Sequence, residues 1–376
     1  MSYKSKKNDA AKAAKVYFGS VAVSKPDSNA TLPAKLTRIL KEIDLKDLSK
    51  GAWVPIKMHL GGGLGYTTLH PVFVRMVADA VKAAGGKPFV VDGYFDTIAS
   101  AAQRGYTQET IGCPIVSAGG VYNSHVVSAP IGYKSYDKAG IFGAIWDAPC
   151  LINFSHVKGH GACAYGGACK NIAMGCVDGE TRHKIHALEG GIEWDKEKCV
   201  FCGRCEKACD SDAVTMDKKE KTVKFFFHNC RYCRHCVAAC PKKALVVTED
   251  DGFKHFQEGM ALTTKAVLER FKPERLLHIN LLTNLTMFCD CWGMSSPSIG
   301  PDIGVMASHD IVAIEQASLD MIKEENFIEG SLIGNRKLGP GEHLLEKIHG
   351  KDPFVQVKAL ESHGLGGREY RLKEID

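Results

Sequence analysis

No apolar run in this 376-residue chain is long enough to span a bilayer, which argues against an integral membrane protein. No apolar stretch follows the basic N-terminus, MSYKSKKNDAAKAAK, so a cleaved secretory signal is not expected. Charge of one sign is also scarce. The net charge of +5 is mild and spread along the chain, and reads as solvated surface lysines rather than as a nucleic-acid surface. Hydrophobic residues at 45% and charged residues at 24% are ordinary for a soluble globular protein. The length suits two or three domains, or one large α/β domain with an insertion.

Cysteine, in contrast, is abundant. The chain has fifteen, an odd number in a long sequence without a visible export signal. Thiolates in a reducing, cytoplasmic setting fit this better than disulfides. Eight of them fall in two runs, CVFCGRCEKACD (199–210) and CRYCRHCVAACP (230–241), both spaced Cys-x2-Cys-x2-Cys-x3-Cys. Every cysteine of the first run has a counterpart 31 positions later. Phe201 matches Tyr232 and Ala213 matches Ala244 at the same offset, and AVTM (213–216) and ALVV (244–247) both read as short strands. The segment is an internal duplication of loop, turn and strand.

A cubane iron–sulfur centre needs four soft donors around a small volume, and two-residue gaps turn three sulfurs inward. In two-cluster ferredoxins the fourth cysteine of each run serves the other cluster. Cys199, Cys202, Cys205 and Cys240 are therefore assigned to one 4Fe–4S cluster, and Cys230, Cys233, Cys236 and Cys209 to a second. Pro241 follows the last cysteine as in bacterial ferredoxins, whereas Asp210 takes the matching place in the first run. The competing reading is zinc, which would take two Cys-x2-Cys pairs and leave the third cysteine of each run surplus.

The flanks read as α/β, a largely parallel sheet domain interrupted by a small α+β ferredoxin-like insert. The expected boundaries are 1–191, 192–248 and 249–376. GAWVPIKMHL (51–60) looks like a buried strand, 70–86 has helical periodicity and ends on glycine, and KPFVVDG (87–93) is the next strand. That order argues for a βαβ unit. Further strands are expected at 149–155 and 275–283 and a helix at 309–325; signals beyond about 338 are weak. The glycine loop after the first strand, with Gly61, Gly62 and Gly63, lacks both the dinucleotide spacing and a Gly-Lys-Ser/Thr sequence. A phosphate or carboxylate held on backbone amides suits it better, and tight turning alone would also explain the glycines.

The stretch 153–176 carries His156, Lys158, His160, Cys163, Cys169, Lys170, Asn171 and Cys176 among several glycines. It reads as a long loop after a strand, where open α/β sheets place ligands. Lys158 and Lys170 would fix an anionic group, and His156 or His160 would move a proton or hold a metal, with Asn171 beside them. A solvated surface loop is the plain alternative. Seven cysteines lie outside the two runs. Cys289 and Cys291, in CDCWG, could bind a metal or form a strained redox pair, with Cys163, Cys169 or Cys176 completing a third site.

The strand WVPIKMHL, the Asp-Gly at 92–93, HVKGHG leading into CKN, and PDIGVMASHDIVAIEQASLDMI (301–322) together resemble the family known as domain of unknown function three-six-two. The resemblance covers most of the chain. It implies an α/β domain in a redox setting, often with an attached or inserted two-cluster ferredoxin. Lys158, His160, Lys170 and Asn171 fall at the family's Lys-x-His and Lys-Asn positions, while His309 stands where an aspartate is more usual.

The sequence thus points to electron transfer through two 4Fe–4S clusters, to or from an α/β site acting on a small anionic substrate. The glycine loop and CDCWG are expected to close that site. The partners would be a redox protein or a small anionic ligand, with no nucleic acid and no membrane. Arg204, Lys207, Arg231 and Arg234, beside the cysteines, would raise a potential or dock an acidic carrier, or simply be solvated. Two rival classes are an electron carrier or scaffold without a substrate, and a metal or acid–base enzyme with structural clusters.

Overall fold

The computed structural model describes residues 13–63, 65–94, 96–293, 295–334 and 336–376. The basic N-terminal stretch up to residue 12, read above for a signal, lies outside them. Central parallel strands are covered on both faces and must be apolar on both. Leu276–Leu282 and Leu151–His156 meet that demand, being buried at every residue. They pair in parallel, and Leu151–His156 pairs with Trp53–Lys57 on its other side.

Eight strands form the sheet, in the order Tyr370–Glu374, Ala14–Ser20, Gly304–Ser308, Leu276–Leu282, Leu151–His156, Trp53–Lys57, Lys87–Asp92, Ile115–Ser117. Only Gly304–Ser308 runs against its neighbours. Alternate side chains feed two cores. Leu277, Ile279 and Leu281 join one with helices Leu32–Ile43 and Pro71–Ala83. Leu282, Met306 and Leu151 join the other with helices Ala168–Gly175, Gly252–Leu268 and Ile311–Asp320. Helix Pro71–Ala83 starts on His70, which accepts from the Val72 N–H, and has proline in its first turn. It stops at Gly85, whose φ of 83° is the left-handed position that suits glycine.

The expected strands at 51–60, 87–93, 149–155 and 275–283 and the helices at 70–86 and 309–325 are all present, each trimmed at its ends. The stretch 153–176 is not a long loop. It contains the end of a sheet strand, a small hairpin of Lys158–His160 with Ala164–Gly166, and helix Ala168–Gly175. Its side chains are almost all buried, which rules out the solvated-loop alternative. The weakly patterned end beyond 338 forms two helices, Leu344–His349 and Val355–Ser362, and an edge strand, Tyr370–Glu374. That strand pairs in parallel with Ala14–Ser20.

Between the two parts of the sheet domain lies a small unit. Ile192–Trp194 pairs antiparallel with Leu245–Val247, and Val214–Asp217 with Thr222–Phe225. The duplication extends to the backbone. Left-handed residues Phe201, Gly203 and Asp212 recur as Tyr232, Arg234 and Lys243, and the short helices Arg204–Lys207 and His235–Ala238 keep the same offset. A small core of its own includes Ile192, Val214, Val223 and Leu245.

Candidate functional site

From Trp53–Lys57 the chain moves outward to Lys87–Asp92 and Ile115–Ser117; from Leu151–His156 it moves the other way, to Leu276–Leu282. The order reverses between Trp53–Lys57 and Leu151–His156, and open α/β sheets bind ligands beyond the carboxyl ends of strands at such a reversal. A pocket of about 190 Å³ lies there, lined by Lys57, His59, Asp92, His156, Lys158, His160, Lys170, Asn171, Arg182, His186, His228 and Cys291 among others.

Two buried carboxylates organise its floor. Asp92 ends its strand and faces Lys57 (3.0 Å) and His59 (3.3 Å), and it accepts from the Leu60 and Gly93 N–H groups. Asp290 faces His156 (2.8 Å) and Lys158 (3.3 Å). Burial alone would raise both carboxyls. The adjacent charges, Lys57 for Asp92 and His156 with Lys158 for Asp290, instead hold both well below the usual carboxylate range. The arrangement leaves Lys57 room only because residue 175 is glycine: a Cβ there would run into its Nζ.

Helix Ala168–Gly175 delivers Lys170 and Asn171. Glu315 accepts from the Ala168 and Cys169 N–H groups at its start and from Tyr165, so a buried acid meets the positive end of the helix. Asn153 donates to the Ala168 carbonyl and accepts from Asn171. Asn171 in turn accepts from Lys57 (2.8 Å) and donates to the Lys57 carbonyl (3.1 Å). It is a strut between strand and helix.

The five sequence-predicted residues of this stretch thus converge on one pocket, with roles already partly taken. Both ring nitrogens of His156 are engaged, one by Asp290 and one by the Thr283 carbonyl. Lys158 donates to the His156 carbonyl as well as meeting Asp290. Burial, then the Lys170 charge, pushes His160 well below the ordinary histidine range, and the neutral ring accepts the Ala162 N–H at Nδ1. Cys163, Cys169 and Cys176 are buried thiols with pKa values raised by burial, to about 12 for Cys163 and Cys176.

Cys289 and Cys291 do reach the site. Cys289 precedes a 3-10 turn, Asp290–Trp292, that Gly293 ends with a φ of 67°. Lys170 Nζ lies 3.1 Å from Cys289 Sγ and 3.6 Å from Cys291 Sγ. Burial opposes ionisation of Cys289, but the Cys291 thiol and the Lys170 charge hold it well below the usual thiol range; the hydrogen bond with Cys289, then burial and the Cys289 charge, raise Cys291. Donor atoms of His160, Cys289 and Cys291 lie within 4.8 Å of one another, the one such group of three found among the described residues, and that spacing could hold a metal ion. Gly61, Gly62 and Gly63 do not line the pocket. Gly62 and Gly63 pack under this turn: the Gly62 N–H donates to the Asp290 carbonyl, and a Cβ on Gly63 would strike Gly293, while Gly61 lies against Thr68 and Arg104.

Sequence reading missed Lys57, His59, Asp92, Arg182, His186, His228 and Asp290 as site residues. Lys57 and Asp92 end sheet strands and His59 follows one; the topological reversal that gives those ends meaning is not local in sequence. Arg182 and His186 come from helix Gly179–Ala187. Arg182 lies over the Tyr94 ring, against Gly93, where a Cβ would collide with it; its Nε is buried without a partner, and no acidic residue pairs with it among the described residues.

Two further sulfur sets stand outside the pocket. Cys199, Cys202, Cys205 and Cys240 line a single small cavity with Trp194, Met216 and Leu245. Cys209, Cys230, Cys233 and Cys236 are near enough for Cys230 and Cys236 each to feel the charges of Cys209 and Cys233. In each set one thiol comes from the other run. This second set faces the sheet domain: Lys351 donates to the Cys230 and Gly161 carbonyls, Arg231 to the Lys337 and Ile348 carbonyls, and Arg336 to the Asn229 carbonyl. His228, two residues before Cys230, reaches the pocket and meets His160 and Trp292 at ring-centroid distances of 5.7 and 5.4 Å.

Fold and site together define an open, mostly parallel α/β protein with a cationic pocket at its topological reversal and cysteine-rich sites beside it. The chain belongs to the family described as Domain of unknown function (DUF362), whose model matches residues 54–320. No curated protein matches it. Among solved structures it is similar to the lactate racemase apoprotein from Thermoanaerobacterium thermosaccharolyticum, at 13% identity and a TM-score of 0.32. That match covers 66% of this chain and 49% of the other, so the chain spans about half the length of that protein. Among the described residues no helix is long and apolar enough to cross a membrane.

Proposed function

We propose that this chain is an iron–sulfur redox protein that passes electrons between two 4Fe–4S clusters in the 192–248 segment and a small anionic molecule in the pocket of the sheet domain. The observation that carries the reading is the crossed donor set: Cys240 of the second run lines the same cavity as Cys199, Cys202 and Cys205 of the first. Sulfurs around one tetrahedral zinc ion stand about 3.8 Å apart, given zinc–sulfur bonds of about 2.3 Å. Among the described residues, no three of these eight cysteines were found with donor atoms within 4.8 Å of one another. Larger separations suit a cubane better than a single ion.

Bound clusters would supply one-electron transfer. The protein's own residues do the rest. The set around Cys230 is fastened to the sheet domain by Arg231, Arg336 and Lys351, and His228 extends from it to the pocket wall. The set around Cys199 adjoins the exposed Val200, and is where a carrier protein would dock. In the pocket Arg182 has no acidic partner among the described residues, and the buried Nε2 of His59 is likewise unpartnered. These two would orient an anion. Lys57 and Lys158, each already matched by a carboxylate, set the surrounding positive field. The test is Cys240→Ser and Cys209→Ser in separate proteins, prepared anaerobically and examined by electron paramagnetic resonance after reduction. The reading predicts that Cys240→Ser damages the centre held by Cys199, Cys202 and Cys205, and that Cys209→Ser damages the other. Damage confined to the run that contains each substitution contradicts it.

A further inference from the structure

We infer that Cys289 and Cys291 are a redox-active dithiol, a two-electron couple set between the one-electron centres and the pocket. The inference rests on the proposed clusters for its electron supply. Its geometry stands apart from them. The two sulfurs share a region less than 4.8 Å across with a nitrogen of His160, so side-chain rotation has little distance to cover to reach a bond of about 2.05 Å. Cys291 is exposed at the pocket wall and Cys289 is buried behind it. Such a pair offers one sulfur to a ligand and keeps one to resolve the bond.

The same three residues are spaced for a metal ion, and two observations decide against that use. The Lys170 ammonium already stands against both sulfurs, at 3.1 and 3.6 Å, where a second cation would meet it. The neutral imidazole of His160 has one lone pair to give, at Nδ1, and that nitrogen takes the Ala162 N–H at 3.2 Å. Lys170 is thus the counter-cation of a thiolate, the arrangement that makes a thiol a nucleophile.

A short route joins this pair to the second cysteine set. Trp292 follows Cys291 directly, its ring meets His228 at 5.4 Å, and His228 lies two residues before Cys230. The chemistry balances as follows. The disulfide takes up two electrons, one at a time from the reduced clusters, together with one proton, and becomes the Cys291 thiol and the Cys289 thiolate that Lys170 faces. An external one-electron carrier protein refills the clusters. The pair then passes two electrons and one proton to an oxidised small anion in the pocket, and the S–S bond forms again.

The experiment uses the full chain, handled anaerobically and first oxidised with a small disulfide reagent. Free thiols are trapped with iodoacetamide, and the peptide carrying Cys289 and Cys291 is weighed. The expected result is an unalkylated peptide, lighter by two hydrogens, that becomes doubly alkylated after dithionite in iron-loaded protein. In protein stripped of iron, dithiothreitol should open the bond and dithionite should not. In reduced protein, Lys170→Met should slow alkylation at pH 7 about tenfold, and Lys170→Arg should restore most of the rate. Two thiols that alkylate in the oxidised protein, or a metal ion retained by the wild type and lost in Cys291→Ser, overturn the dithiol. A disulfide that dithionite leaves closed in iron-loaded protein overturns its supply from the clusters. The readings fail separately: absence of iron removes the clusters, whereas full iron with two permanently free thiols removes only the dithiol.

Discussion

Asp92→Asn removes one negative charge from a buried cluster and leaves its shape nearly intact. In the wild type Asp92 compensates Lys57, whose side chain is fully buried, and its carboxylate also accepts two backbone N–H groups. Once Asp92 is neutral, the Lys57 ammonium keeps only the Asn171 and Met58 oxygens. Removing one partner of a buried pair costs about 3–5 kcal/mol. Replacing both, as in Lys57→Met with Asp92→Asn, leaves no uncompensated charge and should recover at least about 1 kcal/mol of that loss. The assay is urea unfolding followed by circular dichroism on protein of equal iron content. At an m-value of about 3 kcal/mol/M, the midpoint of Asp92→Asn should fall by about 1 M or more. The acid limb supplies a second check. The folded carboxyl is held well below its ordinary value, so its stabilisation is present at neutral pH and is lost as pH falls from about 4 through the lower folded value. Asp92→Asn should flatten that limb in part, since Asp290 contributes a similar slope. A variant within about 0.5 kcal/mol of wild type, with additive double-mutant behaviour, would refute the reasoning.

Arg182→Gln should weaken binding of small carboxylate or phosphate ligands, measured by calorimetry, with iron content unchanged, because Arg182 has no acidic partner to lose. Gly175→Ala should destabilise by about 1–3 kcal/mol in the same urea assay, since its Cβ collides with the Lys57 ammonium. Removing residues 192–248 is open to a short linker because Ile192 and Val247 are paired neighbours. It should leave a folded but weakened sheet domain, as Arg336 and Lys351 lose the Asn229 and Cys230 carbonyls, each worth about 1–3 kcal/mol when a buried donor is orphaned. Adding Arg336→Gln and Lys351→Gln should regain part of that stability by thermal unfolding.

The parts of this architecture legible in sequence are those with local signatures. Leu276–Leu282 and Leu151–His156 show as apolar runs because both faces are covered, and helix Pro71–Ala83 shows through its periodicity and terminal glycines. The duplicated cysteine spacing announces the small unit, down to its repeated left-handed residues. The strands Gly304–Ser308 and Tyr370–Glu374 were not legible. The first is a five-residue antiparallel strand, and the second is a partly exposed edge strand with charged residues. At the site, His156, Lys158, His160, Lys170 and Asn171 were visible as a polar cluster in a glycine-rich stretch. Their division of labour was not, because it depends on partners more than a hundred positions away: Asp290 for His156 and Lys158, Lys57 for Asn171, and Cys289 for Lys170. Of the glycines read as a ligand cradle at 61–63, Gly62 and Gly63 pack beneath the Cys289–Gly293 turn, since two glycines can let backbones approach where no side chain would fit.

The most direct measurement on the central claim is the metal and acid-labile sulfide content of anaerobically purified full-length protein. Eight cysteine thiolates in two crossed sets predict about eight iron and about eight sulfide per chain, with little zinc. Stoichiometric zinc without sulfide would contradict the account.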